Sequence, residues 1–281
     1  MKKIILVVVL IVIAGVAGLV RSHTKNGGSI KSWSLSSQSQ DTSAGQAREE
    51  MRKSYDLLPG ARVEISGING PVKIETSDSK TADVYIERTG ASQEALTRRR
   101  VIVENAPEGL TIRGEKGDGS FITRLFGSNP SERVTLRLPR QVSLVTRGVN
   151  GSVVVGEIDG PVDVHGINGK VQIEQASGSA ELHGINGNIS VGMTQLDKAL
   201  EIRGINGNIE LRLGANVNAD LETHGMNGNV TSSMPNVTVD KSKRGSYTAQ
   251  IGRGGVSISA HGINGNIRLA QLAEAQPIGD R

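Results

Sequence analysis

The chain has 281 residues, enough for one large domain or two small ones, and it carries 36 glycines but only 2% aromatic residues. Its formal charge of +4 comes from residues 1–60, which hold eight Lys/Arg and four Asp/Glu, while residues 61–281 hold 24 of each. A folded part without net charge has no field to attract nucleic acid, and the absence of cysteine excludes disulfides, cysteine-ligated metal centres, thiol catalysis and a lipidated N-terminal cysteine.

Met1-Lys2-Lys3 precedes an apolar or small-residue run from Ile4 to Val20 that Arg21 closes. The run predicts a membrane-anchoring helix over residues 4–20, with the two lysines inside and the rest of the chain facing out of the cytoplasm, at the periplasm or cell surface. A secreted protein with a cleaved signal is the alternative, because Gly15-Val16-Ala17 offers a small-x-small site. Residues 22–58 are rich in Ser, Gln, Lys and Gly and predict a flexible spacer, with a short helix possible at 46–55.

Residues 59–138 predict an N-terminal β-section with strand-like runs at 83–88, 100–104, 109–113 and 133–138. A short helix from Ser92 would end in the solvated run Arg98-Arg99-Arg100, where positive charge suits a helix C-terminus. The segment Ser120–Phe126 holds both phenylalanines of the chain. Phe121, Ile122, Leu125 and Phe126 would plug one end of the fold or touch a partner or membrane.

Residues 139–270 are a repeat array, followed by a tail at 271–281. Gly-x-Asn-Gly turns begin at Gly67, Gly148, Gly166, Gly184, Gly204, Gly225 and Gly262, at intervals of 18, 18, 20, 21 and 37 from Gly148 onward. The last interval spans nearly two periods, so Arg244-Gly245 is expected to supply a degenerate turn between them. Alternating apolar pairs flank each turn, such as Leu200 and Ile202 before one and Ile209 and Leu211 after it. Strands this short bury one face only by stacking on their equivalents, which predicts an all-β parallel solenoid of two strands per rung. The residue between Gly and Asn would stack inward, and the turn asparagines would bond along the array as a ladder. The opposite turns vary in length and composition, as Gln175-Ala176-Ser177-Gly178 and Gly214-Ala215-Asn216-Val217 illustrate. Repeat proteins often place binding contacts on such an irregular edge.

The Gly-Ile-Asn-Gly array, the lead-in Leu58-Pro59-Gly60-Ala61-Arg62-Val63-Glu64-Ile65-Ser66 and the apolar N-terminus resemble the bacterial DUF4097 family. The resemblance spans about residues 55–270. It implies a right-handed parallel β-helix at the cell envelope, with an adhesin label and some relatives in envelope-stress systems. It brings no catalytic residues.

His165, His183, His224 and His261 share one repeat position, just before the turn glycine, with Arg147, Arg203 and Arg244 in other rungs. An exposed polar column is the expectation; weak metal or anion binding is the sharper alternative. Calcium-binding repeats place Asp between the alternating residues, and the matching positions here (Asp163, Gln172, Ser190, Glu210, Thr231, Arg268) hold one. Glu157, Asp159 and Asp163 lie close in sequence without a facing second cluster, so polysaccharide hydrolysis or lysis is a remote reading. Sequon matches at Asn188 and Asn229 fall on turn positions. The residues therefore predict a non-catalytic envelope protein, with no cofactor or metal, whose solenoid meets a surface polymer or an envelope protein. An envelope-stress sensor binding a membrane protein, peptide or lipid is the alternative.

Overall fold

A computed structural model of the protein describes residues 46–117 and 129–272. The predicted anchor, the spacer up to residue 45, the segment with Phe121, Ile122, Leu125 and Phe126, and the tail from 273 lie outside them. Among the described residues no helix is long and apolar enough to cross a membrane.

The chain begins with β1 (Ala47–Asp56), β2 (Arg62–Ser66), β3 (Val72–Ser77), β4 (Thr81–Gly90), helix α1 (Gln93–Thr97), β5 (Arg99–Ala106), β6 (Gly109–Lys116) and β7 (Ser131–Pro139). The regular array follows: β8 (Ser143–Arg147), β9 (Val153–Ile158), β10 (Val162–His165), β11 (Val171–Ala176), β12 (Ala180–His183), β13 (Ile189–Met193), β14 (Leu200–Asn206) and β15 (Ile209–Leu213). The last six strands are β16 (Ala219–His224), β17 (Val230–Ser232), β18 (Val237–Lys243), β19 (Ser246–Ile251), β20 (Val256–Asn264) and β21 (Ile267–Gln271).

These strands form a ten-stranded sheet, β1-β4-β7-β3-β9-β11-β13-β15-β21-β17, and an eleven-stranded sheet, β18-β19-β16-β20-β14-β12-β10-β8-β2-β6-β5. Alternation decides what each strand buries. In β10 both valines are buried, Asp163 is half-buried and His165 is exposed. Each Gly-x-Asn-Gly turn carries the chain from the eleven-stranded sheet into the ten-stranded one, and each irregular turn carries it back. Val, Ile and Leu fill the space between the sheets, joined by a few Ala and Met and by Tyr247. The predicted inward stack is present, with Ile68, Val149, Ile167, Ile185, Ile205 and Ile263 each 1% exposed and Met226 6%.

The two turn glycines have different reasons. Gly184, the first of its motif, has φ +61, and a Cβ there would make only ordinary van der Waals contacts at 3.7–3.9 Å, so backbone conformation alone selects it. Gly187, the second, has φ +158, and a Cβ there would lie 2.3 Å from the Gly169 carbonyl oxygen of the neighbouring rung. Only a residue without a side chain lets the coils approach this closely.

Three expectations are corrected. Residues 47–56, predicted as spacer or short helix, form β1, which pairs along ten positions with β4. Met51 and Tyr55 pack against the core from it, and two anchors in ten residues were too few for composition to reveal. Arg244-Gly245 is not a rung turn but the tip of the antiparallel hairpin β18–β19, which packs on β16. Rungs also do not stack in sequence order. The coil β20/β21 lies between β14/β15 and β16/β17, and the coil β2/β3 lies between β6/β7 and β8/β9. Eight layers result, about 34 Å from first to last at the usual strand spacing. Sequence periodicity identifies which residues form a coil but carries no information about a coil inserted out of order.

The outermost strands are guarded. β1 carries Arg48, Glu49, Glu50, Arg52, Lys53 and Asp56, β18 carries Asp240, Lys241 and Lys243, and β17 is three residues long. Charge and brevity on edges oppose strand addition by a second copy.

Candidate interaction surfaces

The regular edge carries the predicted ladder. Asn69, Asn150, Asn168, Asn186, Asn206, Asn264 and Asn227 follow one another along the stack, each Nδ2 donating to the preceding Oδ1 at 2.9–3.1 Å. A second ladder runs beside it from the residue after each turn. Asn188, Asn208 and Asn266 each accept, through Oδ1, the backbone N–H of the next asparagine at 3.0 Å, ending at Asn229.

The N-terminal end of the first ladder is capped by groups from outside the motif. Inside the stack Asn150 N–H donates to the Ile68 carbonyl of the adjacent rung (2.9 Å). Asn69 has no such rung on its far side, and Glu132 Oε2 accepts its N–H at 2.9 Å while the Pro130 carbonyl accepts its Nδ2. Glu132 is fully buried, and Arg99, 16% exposed, pairs with it at 3.0 Å and also donates to the Gly67 carbonyl. Arg99 is therefore not part of a solvated helix end; the helix closes at Arg98, and Arg99 and Arg100 both lie on β5, where the exposed Arg100 pairs with Glu115. At the other end Tyr247 closes the second ladder, its hydroxyl donating to Asn229 Oδ1 at 3.0 Å.

On the outer face of the eleven-stranded sheet, strand register lines up Arg113, Ser66, Arg147, His165, His183, Arg203, His261 and His224. The predicted column of His165, His183, Arg203, His224 and His261 is thus one physical row. Inserting β20 makes His261 the neighbour of both Arg203 and His224, and its ring stacks on His224 at 5.3 Å between centroids. Arg244, expected in the column, lies at the hairpin tip instead. A parallel row two residues back reads Glu64, Val145, Asp163, Glu181, Glu201, Ser259 and Glu222, so its carboxylates are interrupted twice. Arg147 pairs with Asp163 at 3.0 Å, a bond that holds its guanidinium above the usual pKa, Arg203 pairs with Glu201, and His224 meets Glu222 at 2.8 Å. The rows largely neutralise each other, so this face is a striped surface rather than a basic one. Among the described residues no group of three or more His, Asp or Glu is placed to hold a metal ion.

On the outer face of the ten-stranded sheet, Lys73, Val154, Gln172, Ser190, Glu210, Arg268 and Thr231 form another row. Asp163 is not in it; Val154 holds the place, because Asp163 belongs to the other sheet. From Gln172 to Thr231 the row lines an open groove together with Lys170, the second asparagine ladder and Arg212. Arg212 lies against its aligned neighbour Gly192 and reaches the Ile173 carbonyl at 3.1 Å. Sequence reading missed this groove because its members are individually ordinary polar residues. Their alignment was the available signal.

The acidic trio is divided. Glu157, on β9, pairs with Arg140, whereas Asp163 faces out from β10 in the opposite sheet. The two carboxylates thus belong to different outer faces.

The resemblance noted above is found: residues 156–270 match the family model described as Toastrack DUF4097. Among curated proteins no significant match exists. Solved structures similar to this chain include a candidate cell adhesion protein from Clostridium sporogenes, 11% identical with a TM-score of 0.34, covering 79% of this chain and all of that one. A candidate adhesin from Bacteroides fragilis is 9% identical with a TM-score of 0.31, covering 79% and 97%. A candidate lipid binding protein from Parabacteroides distasonis is 11% identical with a TM-score of 0.27, covering 80% and 97%.

Proposed function

We propose that this DUF4097-like solenoid is a non-catalytic protein of the bacterial envelope, tethered through residues 4–20 outside the cytoplasm, that binds a repeating surface polymer. The carrying observation is the groove on the ten-stranded sheet, where Gln172, Ser190, Glu210, Arg268 and Thr231 recur in register beside the asparagine ladder. Each rung offers one donor or acceptor at the strand spacing of about 4.8 Å. A polymer of polar units engages several rungs at once, and weak contacts then add through effective concentration. Right-handed winding belongs to the same reading, since successive parallel strands in one sheet are joined by crossovers of that hand.

The test is co-sedimentation of the detergent-purified chain with insoluble wall polysaccharide, beside a glycan array. Replacing Gln172, Glu210 and Arg268 together by alanine should weaken binding about tenfold or more, each substitution removing a contact of roughly 0.5–1.5 kcal/mol. Binding that the triple variant leaves intact would move the site elsewhere. A single stoichiometric membrane partner in whole-cell crosslinking, without polymer binding, would favour the stress-sensor reading. Turnover of a glycan that one carboxylate substitution abolishes would sink the non-catalytic reading. Protease access in intact against permeabilised cells checks the topology.

A further inference from the structure

We propose that Asn227 is a site of spontaneous deamidation and the weakest covalent point of an otherwise protected asparagine ladder. All seven ladder asparagines precede glycine. Glycine has no side chain to shield its nitrogen, so an Asn-Gly pair is open to attack of the glycine amide nitrogen on the asparagine Cγ. The nitrogen loses its proton and forms the new N–Cγ bond. The Cγ–Nδ2 bond breaks, and Nδ2 leaves with a proton as ammonia. Water then opens the resulting succinimide at either carbonyl, giving Asp or, with the backbone rerouted through the side chain, isoaspartate.

The reaction requires the side-chain amide to swing over the following nitrogen and that N–H to be free. In the interior both movements are opposed. Asn150, Asn168, Asn186, Asn206 and Asn264 are each held at two ends, Nδ2 donating to one rung and Oδ1 accepting from the next. Behind three ladder asparagines the attacking nitrogen is held as well: Gly187, Gly207 and Gly265 N–H donate to the carbonyls of Asn206, Asn264 and Asn227 at 3.0 Å. The amides of Gly70, Gly151 and Gly169 lack such a bond among the described residues, but the side chains before them are held at both ends.

Asn227 is different on both counts. Its Nδ2 donates to Asn264 Oδ1 at 3.0 Å, but no described group donates to its Oδ1 and no described acceptor takes the Gly228 N–H. Its side chain is exposed like those of the interior asparagines, but β16/β17 is the last layer and no further asparagine lies beyond it to donate to Oδ1. The hairpin beyond it touches the backbone on either side, Met226 N–H donating to the Gly245 carbonyl at 2.9 Å and the Tyr247 hydroxyl to the Gly228 carbonyl at 3.1 Å, but holds neither the Asn227 side chain nor the Gly228 N–H. Chain order conceals this. Asn264 comes last of the seven in sequence, yet β20/β21 sits inside and Asn227 ends the row.

The experiment incubates the purified full chain at mildly alkaline pH and follows each Asn-Gly peptide by mass spectrometry with isoaspartate detection. Asn227 should convert about tenfold faster than any of the five interior asparagines, from two missing hydrogen bonds that are each worth a few-fold in rate. In denaturant the seven rates should converge, since all share the same following residue. An interior asparagine that converts as fast as Asn227 in the folded chain overturns the proposal, as does an Asn227 that resists. Asn264→Ser removes the acceptor of Asn227 Nδ2 and should raise the Asn227 rate further. No rise in a variant that still melts cooperatively would remove the ladder as the cause. If the variant unfolds, the wild-type comparison decides alone.

Discussion

Replacing Glu132 by alanine should destabilise the array far more than any surface charge substitution. The carboxylate is fully buried, accepts the Asn69 N–H at 2.9 Å and holds Arg99 Nε at 3.0 Å. Its removal leaves Arg99, only 16% exposed, without its counter-charge and deprives the first turn of an acceptor. Breaking one partner of a buried pair costs about 3–5 kcal/mol. For a domain of this size that lowers the melting temperature by roughly 6–20 °C. Because each coil touches only its neighbours, the damage should begin at the N-terminal layers. Hydrogen exchange should rise at the 67–70 turn before it rises at 184–187. Arg99→Met combined with Glu132→Leu should recover part of the loss, since an apolar pair pays no desolvation. A Glu132→Ala melting curve within about 1 kcal/mol of wild type would refute this account. So would a double variant as unstable as the sum of its singles.

Two further outcomes follow from the turn geometry. Asn206→Asp should cost about 1–2 kcal/mol in urea unfolding and more than Asn206→Ala, because an acceptor-only carboxylate then faces Asn186 Oδ1 where Nδ2 had donated at 3.0 Å. Gly187→Ala should abolish cooperative melting or leave only insoluble protein, since its Cβ would stand 2.3 Å from a neighbouring backbone oxygen, whereas an ordinary exposed Gly→Ala change is mild. A soluble Gly187→Ala protein with an unchanged melting curve would show that the rungs can separate at small cost.

What could be read from the sequence was whatever repeats. The turns, the inward stack of Ile68 to Ile263 and the asparagine ladder all follow from a motif that recurs at 18–21 residues, because stacked coils impose the same geometry on equivalent positions. The ends do not repeat, and there the reading failed. β1 packs on the core through Met51 and Tyr55 alone, and Glu132 appears in the sequence as one more charged residue in an alternating strand. The hairpin β18–β19 fills an interval that arithmetic assigned to a missing rung. The groove on the ten-stranded sheet needed register rather than period: Glu210, Arg268 and Thr231 become consecutive only once β21 is known to lie between β15 and β17.

That placement of β20/β21 has a bearing on how the array is made and how it could change in length. Leu200 to Asn206 finds its partner in residues more than 50 positions later, so the penultimate layer stays open until the chain has been synthesised past Gln271. Long-range pairing of this kind is slow and leaves sheet edges uncovered meanwhile. Adding copies of the motif at either terminus would not lengthen the body, because both terminal coils are already wedged between others. Duplication or loss of whole repeats should be accommodated only between Ser143 and Leu213, where order in the sequence and order in space agree.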